Sequence, residues 1–276
     1  MPCKIDAITL ADHRCMPITT DDTASGKVAL VTGASRALGL GFAVARELAT
    51  RGYHAILAGR DLARTEHLAD QLVSEGLPAS AIRLDVTDRV SIADGVEFIR
   101  TRFGRLDALI NNAARMPDFT TTALLDADMN EVRAAYDVDV IGTWALTQAC
   151  LPLLKAAPAA RIVNLSSAAV AQIAAGTALS HGVYSPGYSM AKYALDALTA
   201  SLAAELRDTG ILVNAVDPGE VATHPERGDE ATARPAAESA PGIVWAATLP
   251  IGGPTGGLFR DGQPFQWVSA TTHSES

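Results

Sequence analysis

Short apolar runs and amphipathic stretches take turns along this chain from residue 26 onward. "KVALVTG" is a β-branched run closed by glycine. "LGLGFAVARELATRG" then shows the three-to-four-residue apolar spacing of a helix and stops at Gly52. The pair repeats as "HAILAGR" with "LARTEHLADQLVSEG", as "AIRLDVTD" with "VSIADGVEFIRTRFG", and as "LDALINNAA" with a long helical stretch from about Asp126 to Lys155. "ARIVNLSS", a helix from near Tyr188, the strand "ILVNAVDPG", a helix around 236 to 248 and a late "GGLFRDG" complete the series. Strands this continuously apolar are buried on both faces, which is the mark of a parallel sheet covered by helices. The pattern predicts an α/β fold: one doubly wound Rossmann-type domain over residues 26–276 with a central seven-stranded parallel sheet. Residues 1–25 mix Asp, His, Arg, Thr and Pro without an apolar core segment, so they are expected to be a flexible tail and not a signal peptide. In such a sheet, ligands bind at the carboxyl ends of the strands, near the point where the strand order reverses.

Composition narrows the function. Of 276 residues, 48% are hydrophobic, enough for a large core, and the net charge of −9 disfavours nucleic acid or an anionic membrane as partner. No apolar run approaches the ~20 residues that span a bilayer. The three cysteines, Cys3, Cys15 and Cys150, lack metal-ligand spacing. They read as free thiols of a protein in the reducing cytoplasm, and no metal is expected.

The first strand runs into "TGASRALGLG", residues 32 to 41. A glycine-rich turn between a strand and a helix lets backbone N–H groups approach a pyrophosphate at the positive end of the helix dipole. Gly33, Ser35, Arg36, Leu38 and Gly39 are therefore candidate cofactor contacts. The second strand ends at Gly59–Arg60, where an acid would accept hydrogen bonds from an adenosine ribose and favour NAD. An arginine there, joined by Arg36, can pair with a 2′-phosphate, so NADP(H) is the expected cofactor. In "GYSMAKYAL", Tyr188 and Lys192 are four apart and share one helix face. An ammonium beside a phenol favours phenolate and lowers its pKa, and the hydroxyls of the upstream "NLSS" can hydrogen-bond a carbonyl oxygen.

Taken together, "TGASRALG", "LDV", "NNAA" (111–114), "VNLSS", "YSMAK" and "DPGEVAT" (217–223) stand in the order found in the short-chain dehydrogenase/reductase family, which residues 26–276 resemble. The tail "LPIGGPTGGLFRDGQPFQW" is similar to that of carbonyl-reductase-type members. The resemblance implies that Tyr188 is the general acid in carbonyl reduction and the base in reverse. Lys192 holds the nicotinamide ribose and lowers the tyrosine pKa, and Ser167, second of its pair, holds the carbonyl oxygen. Asp85, with Val86 beside it, would meet the adenine, and Asn112 and Ala113 would pack along the adenosine. Pro218, Gly219, Val221 and Thr223 would line the nicotinamide. The family usually forms dimers or tetramers through the helix at 126–155 and the helix after Tyr188, so a homodimer or homotetramer is expected.

Three positions depart from the family pattern. Ala37 replaces a glycine in the phosphate turn. The stretch between Ser167 and Tyr188 is longer than in minimal members and offers His181 and Tyr184 as substrate contacts, while the segment after Thr223 is short. Asp139, three residues before Gly142, takes the seat where the family places the asparagine of a Ser-Tyr-Lys-Asn tetrad. The expected activity is NADPH-dependent reduction of a ketone or aldehyde. The altered tetrad also admits a biosynthetic enzyme acting on an imine or steering a cyclisation or isomerisation. A non-catalytic NADP(H)-binding regulator would have no need of Ser167, Tyr188 and Lys192 together.

Overall fold

The computed structural model describes residues 26–174, 184–223 and 233–265. The expectations for the tail at 1–25 and for His181 fall outside these residues. The strands are β1 (Lys27–Thr32), β2 (Tyr53–Gly59), β3 (Ala79–Arg83), β4 (Ala108–Asn111), β5 (Arg161–Leu165), β6 (Leu212–Val216), β7 (Val221–Ala222), β8 (Arg234–Pro235), β9 (Leu258–Arg260) and β10 (Gln263–Pro264). Eight of them make one sheet in the order β10-β9-β6-β5-β4-β1-β2-β3. Strands β1 to β6 and β9 are the parallel strands read from the sequence. The addition is β10, which pairs antiparallel with β9 through Gln263↔Arg260 and Pro264↔Phe259. A two-residue strand containing proline has no alternating pattern to read, and proline is tolerated at the sheet edge it occupies. Strand order reverses between β1 and β4, so the cleft predicted for a ligand opens at the ends of those two strands.

The helices are α1 (Leu40–Thr50), α2 (Leu62–Ser74), α3 (Arg89–Arg102), α4 (Met129–Tyr136), α5 (Thr143–Ala156), α6 (Ala171–Ala174), α7 (Pro186–Glu205) and α8 (Ala236–Ala247). They cover both faces of the sheet. Val44, Leu48, Leu68, Leu72, Ile243 and Val244 pack against Ala29, Val31, Ala55 and Leu57 on one side. Ile92, Ile99, Leu146, Leu153 and Ala203 pack against Val28, Leu30, Ile56 and Leu109 on the other. Alternate residues of β1 and β2 thus feed opposite cores, as the two-residue period of a strand requires. Among the described residues no helix is long and apolar enough to cross a membrane.

The stretch expected as one helix from 126 to 155 is α4 and α5 joined by a π-helical turn, Asp137–Gly142. An extra residue per turn widens the helix locally, a feature that recurs at functional sites. Gly142 closes the turn against the chain after β3: a β-carbon there would stand 2.8 Å from both Val86 Cγ2 and Val86 O. Asp139 sits in this turn with no exposure to solvent.

Candidate active site

The turn after β1 is shaped by contacts that only glycine permits. Gly33 has φ +68°, and a β-carbon on it would come within 2.9 Å of Ala113 Cα. The chain after β4 braces the turn from beneath. Asn112 Nδ2 donates to Thr32 O at 2.7 Å, and the main-chain N–H groups of Asn112 and Ala113 both donate to Thr32 Oγ1 at 3.0 Å. Ala37, exposed and without a positive φ, accommodates its methyl group where the family has glycine. At the start of α1, Gly39 caps the helix without a side-chain hydrogen bond. The leading N–H groups therefore lack a capping side chain, as an anion site requires. This glycine cradle fits the pyrophosphate of a dinucleotide.

Arg60 is exposed at the end of β2, and its positive charge acts on Asp85 beyond β3. Burial pushes the Asp85 carboxyl up, but hydrogen bonds from Thr87 N–H and Oγ1 and the charges of Arg60 and Arg83 hold it below the usual range overall. Arg36 reaches across the cleft instead, donating from Nη2 to Thr223 O at 2.8 Å. The two arginines thus act on separate partners.

The polar centre is assembled from β5, the π turn and α7. Lys192 is 2% exposed, and its Nζ donates to Leu165 O at 2.7 Å. The same ammonium lies 5.5 Å from the centroid of the Tyr188 ring. Ser167 accepts from Ala169 N–H at 3.2 Å, capping a 3₁₀ turn after β5, and its hydroxyl stands near enough to the Tyr188 phenol to lower its pKa. Ser166, the first serine of the pair, is 3% exposed, and its hydroxyl has no partner among the described residues. Of the two hydroxyls, that of Ser167 is the one that acts on the Tyr188 phenol. A buried amide chain locks the frame: Asn111 Nδ2 donates to Asn164 Oδ1 at 2.8 Å, and Asn164 Nδ2 donates to Thr199 Oγ1 at 2.8 Å. It ties β4 and β5 to α7, so the ends that carry Ser167 and Tyr188 share one register.

Two carboxylates meet this centre. Asp139 Oδ1 accepts from Arg115 N–H at 3.0 Å and stands 3.9 Å from Lys192 Nζ, while Oδ2 is buried without a hydrogen-bond partner among the described residues. Burial pushes the Asp139 carboxyl up to about 6, against the opposing pull of Lys192 and the Arg115 N–H. Asp118, absent from the sequence-based candidates, is 1% exposed. It accepts from Gly187 N–H at Oδ2 (2.5 Å) and from Tyr188 N–H at Oδ1 (3.4 Å), so it caps α7 at the tyrosine itself. Ser185 just before is held in the left-handed region (φ 47°, ψ 61°) by its N–H donating to Thr121 O at 2.8 Å. Tyr188 is raised above the usual tyrosine value. Burial is the chief cause, Lys192 and the Ser167 hydrogen bond oppose it, and Asp139 and Asp217 reinforce it.

The remaining candidates flank this centre. Gly219, at φ +74°, follows Pro218 in a turn gripped from outside: Arg234 Nη2 donates to Pro218 O at 2.6 Å and Ser239 Oγ at 3.0 Å. Arg234 is tied in turn to Asp261, and buried Asp217 pairs with Arg260. Arg234 and Ser239 were not legible as site residues, since both act through a carbonyl. Val221 pairs with Arg234 in the small β7–β8 ladder. Tyr184 is exposed and packs edge-on against Phe119, ring centroids 5.9 Å apart.

A turn for a dinucleotide at the switch point and a Ser-Tyr-Lys cluster at the neighbouring strand end define an oxidoreductase of the dinucleotide-binding α/β class. The chain belongs to the short-chain dehydrogenase family, whose model matches residues 27–233. The Escherichia coli (strain K12) oxidoreductase UcpA is 36% identical over 205 residues, covering 72% of this chain and 71% of that protein. An uncharacterized oxidoreductase of Staphylococcus epidermidis is 32% identical over 227 residues, covering 81% and 92%. Among solved structures, an Escherichia coli CFT073 protein described as a short-chain dehydrogenase, in complex with NADPH, aligns with TM-score 0.74 at 25% identity. The alignment covers 85% of this chain and 96% of that one. A short-chain dehydrogenase from Mycobacterium smegmatis aligns with TM-score 0.70 at 28% identity, covering 84% and 90%.

Proposed function

We propose that this protein is an NADPH-dependent reductase that converts a ketone or aldehyde to an alcohol. One observation carries the reading: a Tyr188 phenol held in its protonated form by burial, beside the Ser167 hydroxyl, with the Lys192 ammonium 5.5 Å from its ring centroid. A phenol kept neutral well above neutral pH is a proton donor by default.

The residues that would hold the cofactor are Gly33, Ser35, Arg36, Leu38 and Gly39 at the phosphates. Arg60, Asp85, Val86, Asn112 and Ala113 would surround the adenosine, and Pro218, Gly219, Val221 and Thr223 the nicotinamide, with Lys192 and Tyr188 beside it. When bound, the cofactor supplies the hydride equivalent. The Ser167 and Tyr188 hydroxyls hold the carbonyl oxygen in place. Negative charge grows on that oxygen, and the hydrogen bonds to it strengthen. Tyr188 then releases its proton to the oxygen, and the Lys192 ammonium stabilises the phenolate left behind. Lys192 can do so because Leu165 O fixes its Nζ beneath the ring. Arg60, standing where an NAD enzyme would carry an acid, supports NADPH as the partner, as does the NADPH complex of the aligned Escherichia coli protein.

Tyr184 and its partner Phe119 offer an aromatic wall to the substrate at the mouth of α7. For assembly, Ile141 and Trp144 next to the π turn and Tyr193 on α7 are exposed at 57%, 48% and 46%, which supports a homodimer or homotetramer formed through these helices. The buried free thiol of Cys150 suits a cytoplasmic setting. The test is loss of NADPH absorbance with a panel of small ketones, aldehydes and cyclic imines. Turnover of a ketone or aldehyde supports the reading. Turnover of imines alone replaces the substrate, and NADPH binding without any turnover removes the reductase.

A further inference from the structure

We infer that Asp139 is a positioning residue that makes the site directional: by countering the Lys192 charge, its carboxylate keeps Tyr188 a proton donor and suppresses the reverse, oxidative reaction. The inference rests on the reductase reading but concerns a group that touches neither substrate nor cofactor.

The geometry is that of a counter-ion placed behind the lysine. Lys192 Nζ has Leu165 O as its hydrogen-bond acceptor at 2.7 Å, the Tyr188 ring at 5.5 Å, and Asp139 Oδ1 at 3.9 Å. Asp139 is fully buried and Lys192 is 2% exposed, so solvent screens their attraction little. An asparagine in that seat would keep the hydrogen bond from Arg115 N–H and leave Lys192 free to act on the phenol. The aspartate adds a negative charge to the same contact. Its Oδ2, buried without a partner among the described residues, makes no structural hydrogen bond that would account for a carboxylate there.

The charged groups that face this cluster come from every side. Lys192 and Tyr188 lie on α7, Asp217 lies in the turn after β6, and Asp118 lies in the loop after β4 with its oxygens on Gly187 and Tyr188 N–H. Asp196 follows Lys192 on α7, and on the helical stretch of Asp139 itself Asp137 and Arg133 are exposed. Lys192 is the cation among the groups acting on Asp139, and Asp139 is the first of the two anions raising Tyr188. The carboxyl titrates near pH 6, so the countering charge is in place at neutral pH and above, where the direction of a tyrosine-dependent reaction is decided. Oxidation requires Tyr188 as phenolate to accept the alcohol proton, and reduction requires it as phenol. One charge therefore favours the second and disfavours the first.

The experiment reads the phenol directly, without substrate. Ultraviolet titration of tyrosinate in the wild-type protein, with Tyr188→Phe subtracted, gives the Tyr188 pKa. The same measurement in Asp139→Asn should give a value lower by about one pH unit or more. A wild-type value at or above that of ordinary tyrosine, falling on substitution, supports the inference. Equal values, or a wild-type value below about 8.5, overturn it. Asp139→Ser serves if the asparagine variant does not fold, with the same fall expected. With a substrate in hand, Asp139→Asn should raise the ratio of oxidative to reductive kcat at pH 7.5 about tenfold, leaving the KM for NADPH unchanged. An enzyme inactive on every carbonyl would remove the reductase reading and leave the titration result standing.

Discussion

Replacing Asp139 with asparagine should change how the stability of this protein depends on pH. Folding raises the Asp139 carboxyl from the ordinary 3.8 to about 6. Between those values the folded state holds a proton that the unfolded chain has released. Stability from this group is therefore full below about pH 3.8 and is lost as the pH rises through 6. At about 1.36 kcal/mol per unit, the loss amounts to about 3 kcal/mol by pH 8, of which about 2 kcal/mol falls between pH 4.5 and 8. Asparagine has the same shape, keeps the hydrogen bond from Arg115 N–H at 3.0 Å, and does not ionise. Calorimetry of both proteins across that range isolates the effect, because every other titrating group is shared. For a domain of this size, 2 kcal/mol corresponds to about 4–8 °C in Tm. The wild type should lose that much relative to Asp139→Asn on going from pH 4.5 to 8. A difference between the two that stays flat with pH would refute a buried, weakly satisfied carboxylate at this position.

Other consequences can be measured separately. Arg60→Ala removes a charge-assisted partner for the 2′-phosphate, so the Kd for NADPH should rise about 10- to 100-fold while that for NADH stays within about twofold; equal losses for both would place Arg60 away from the phosphate. Asp118→Ala leaves the Gly187 N–H buried and unpaired, which costs about 1–3 kcal/mol in thermal unfolding and should lower kcat more than it changes KM, while Asp118→Asn should recover most of both. Light scattering should find the wild type at two or four times the chain mass, and Trp144→Glu should reduce it, since that exposed side chain lies on the face proposed to pair.

Strand and helix order was legible because the apolar runs are closed by glycine, an acid or small polar residues such as Asn112 and Ser166, and the helices between them keep an apolar period. Gly33 was legible too, since its left-handed backbone and the close approach of Ala113 admit no side chain. What escaped was set by contacts far apart in sequence. Asp118 carries no sequence signal of its own, and its role comes from N–H groups about seventy residues on. The contact of Arg36 Nη2 with Thr223 O was not legible either, since folding alone brings that carbonyl near. The π turn at Asp137–Gly142 has no apolar period to distinguish it from the α-helices it joins. The location of Asp139 was legible from the glycine three residues later. Its oxygen without a partner among the described residues and its distance to Lys192 were not.

The central claim, that Tyr188 donates the proton in an NADPH-dependent reduction, is tested most directly by comparing wild type and Tyr188→Phe. Both should bind NADPH with similar Kd by fluorescence titration. The wild type should consume NADPH with a ketone or aldehyde, and the phenylalanine variant should lose at least about a hundredfold in kcat, the contribution of a positioned general acid. A variant that binds NADPH and turns over at the wild-type rate would contradict the account.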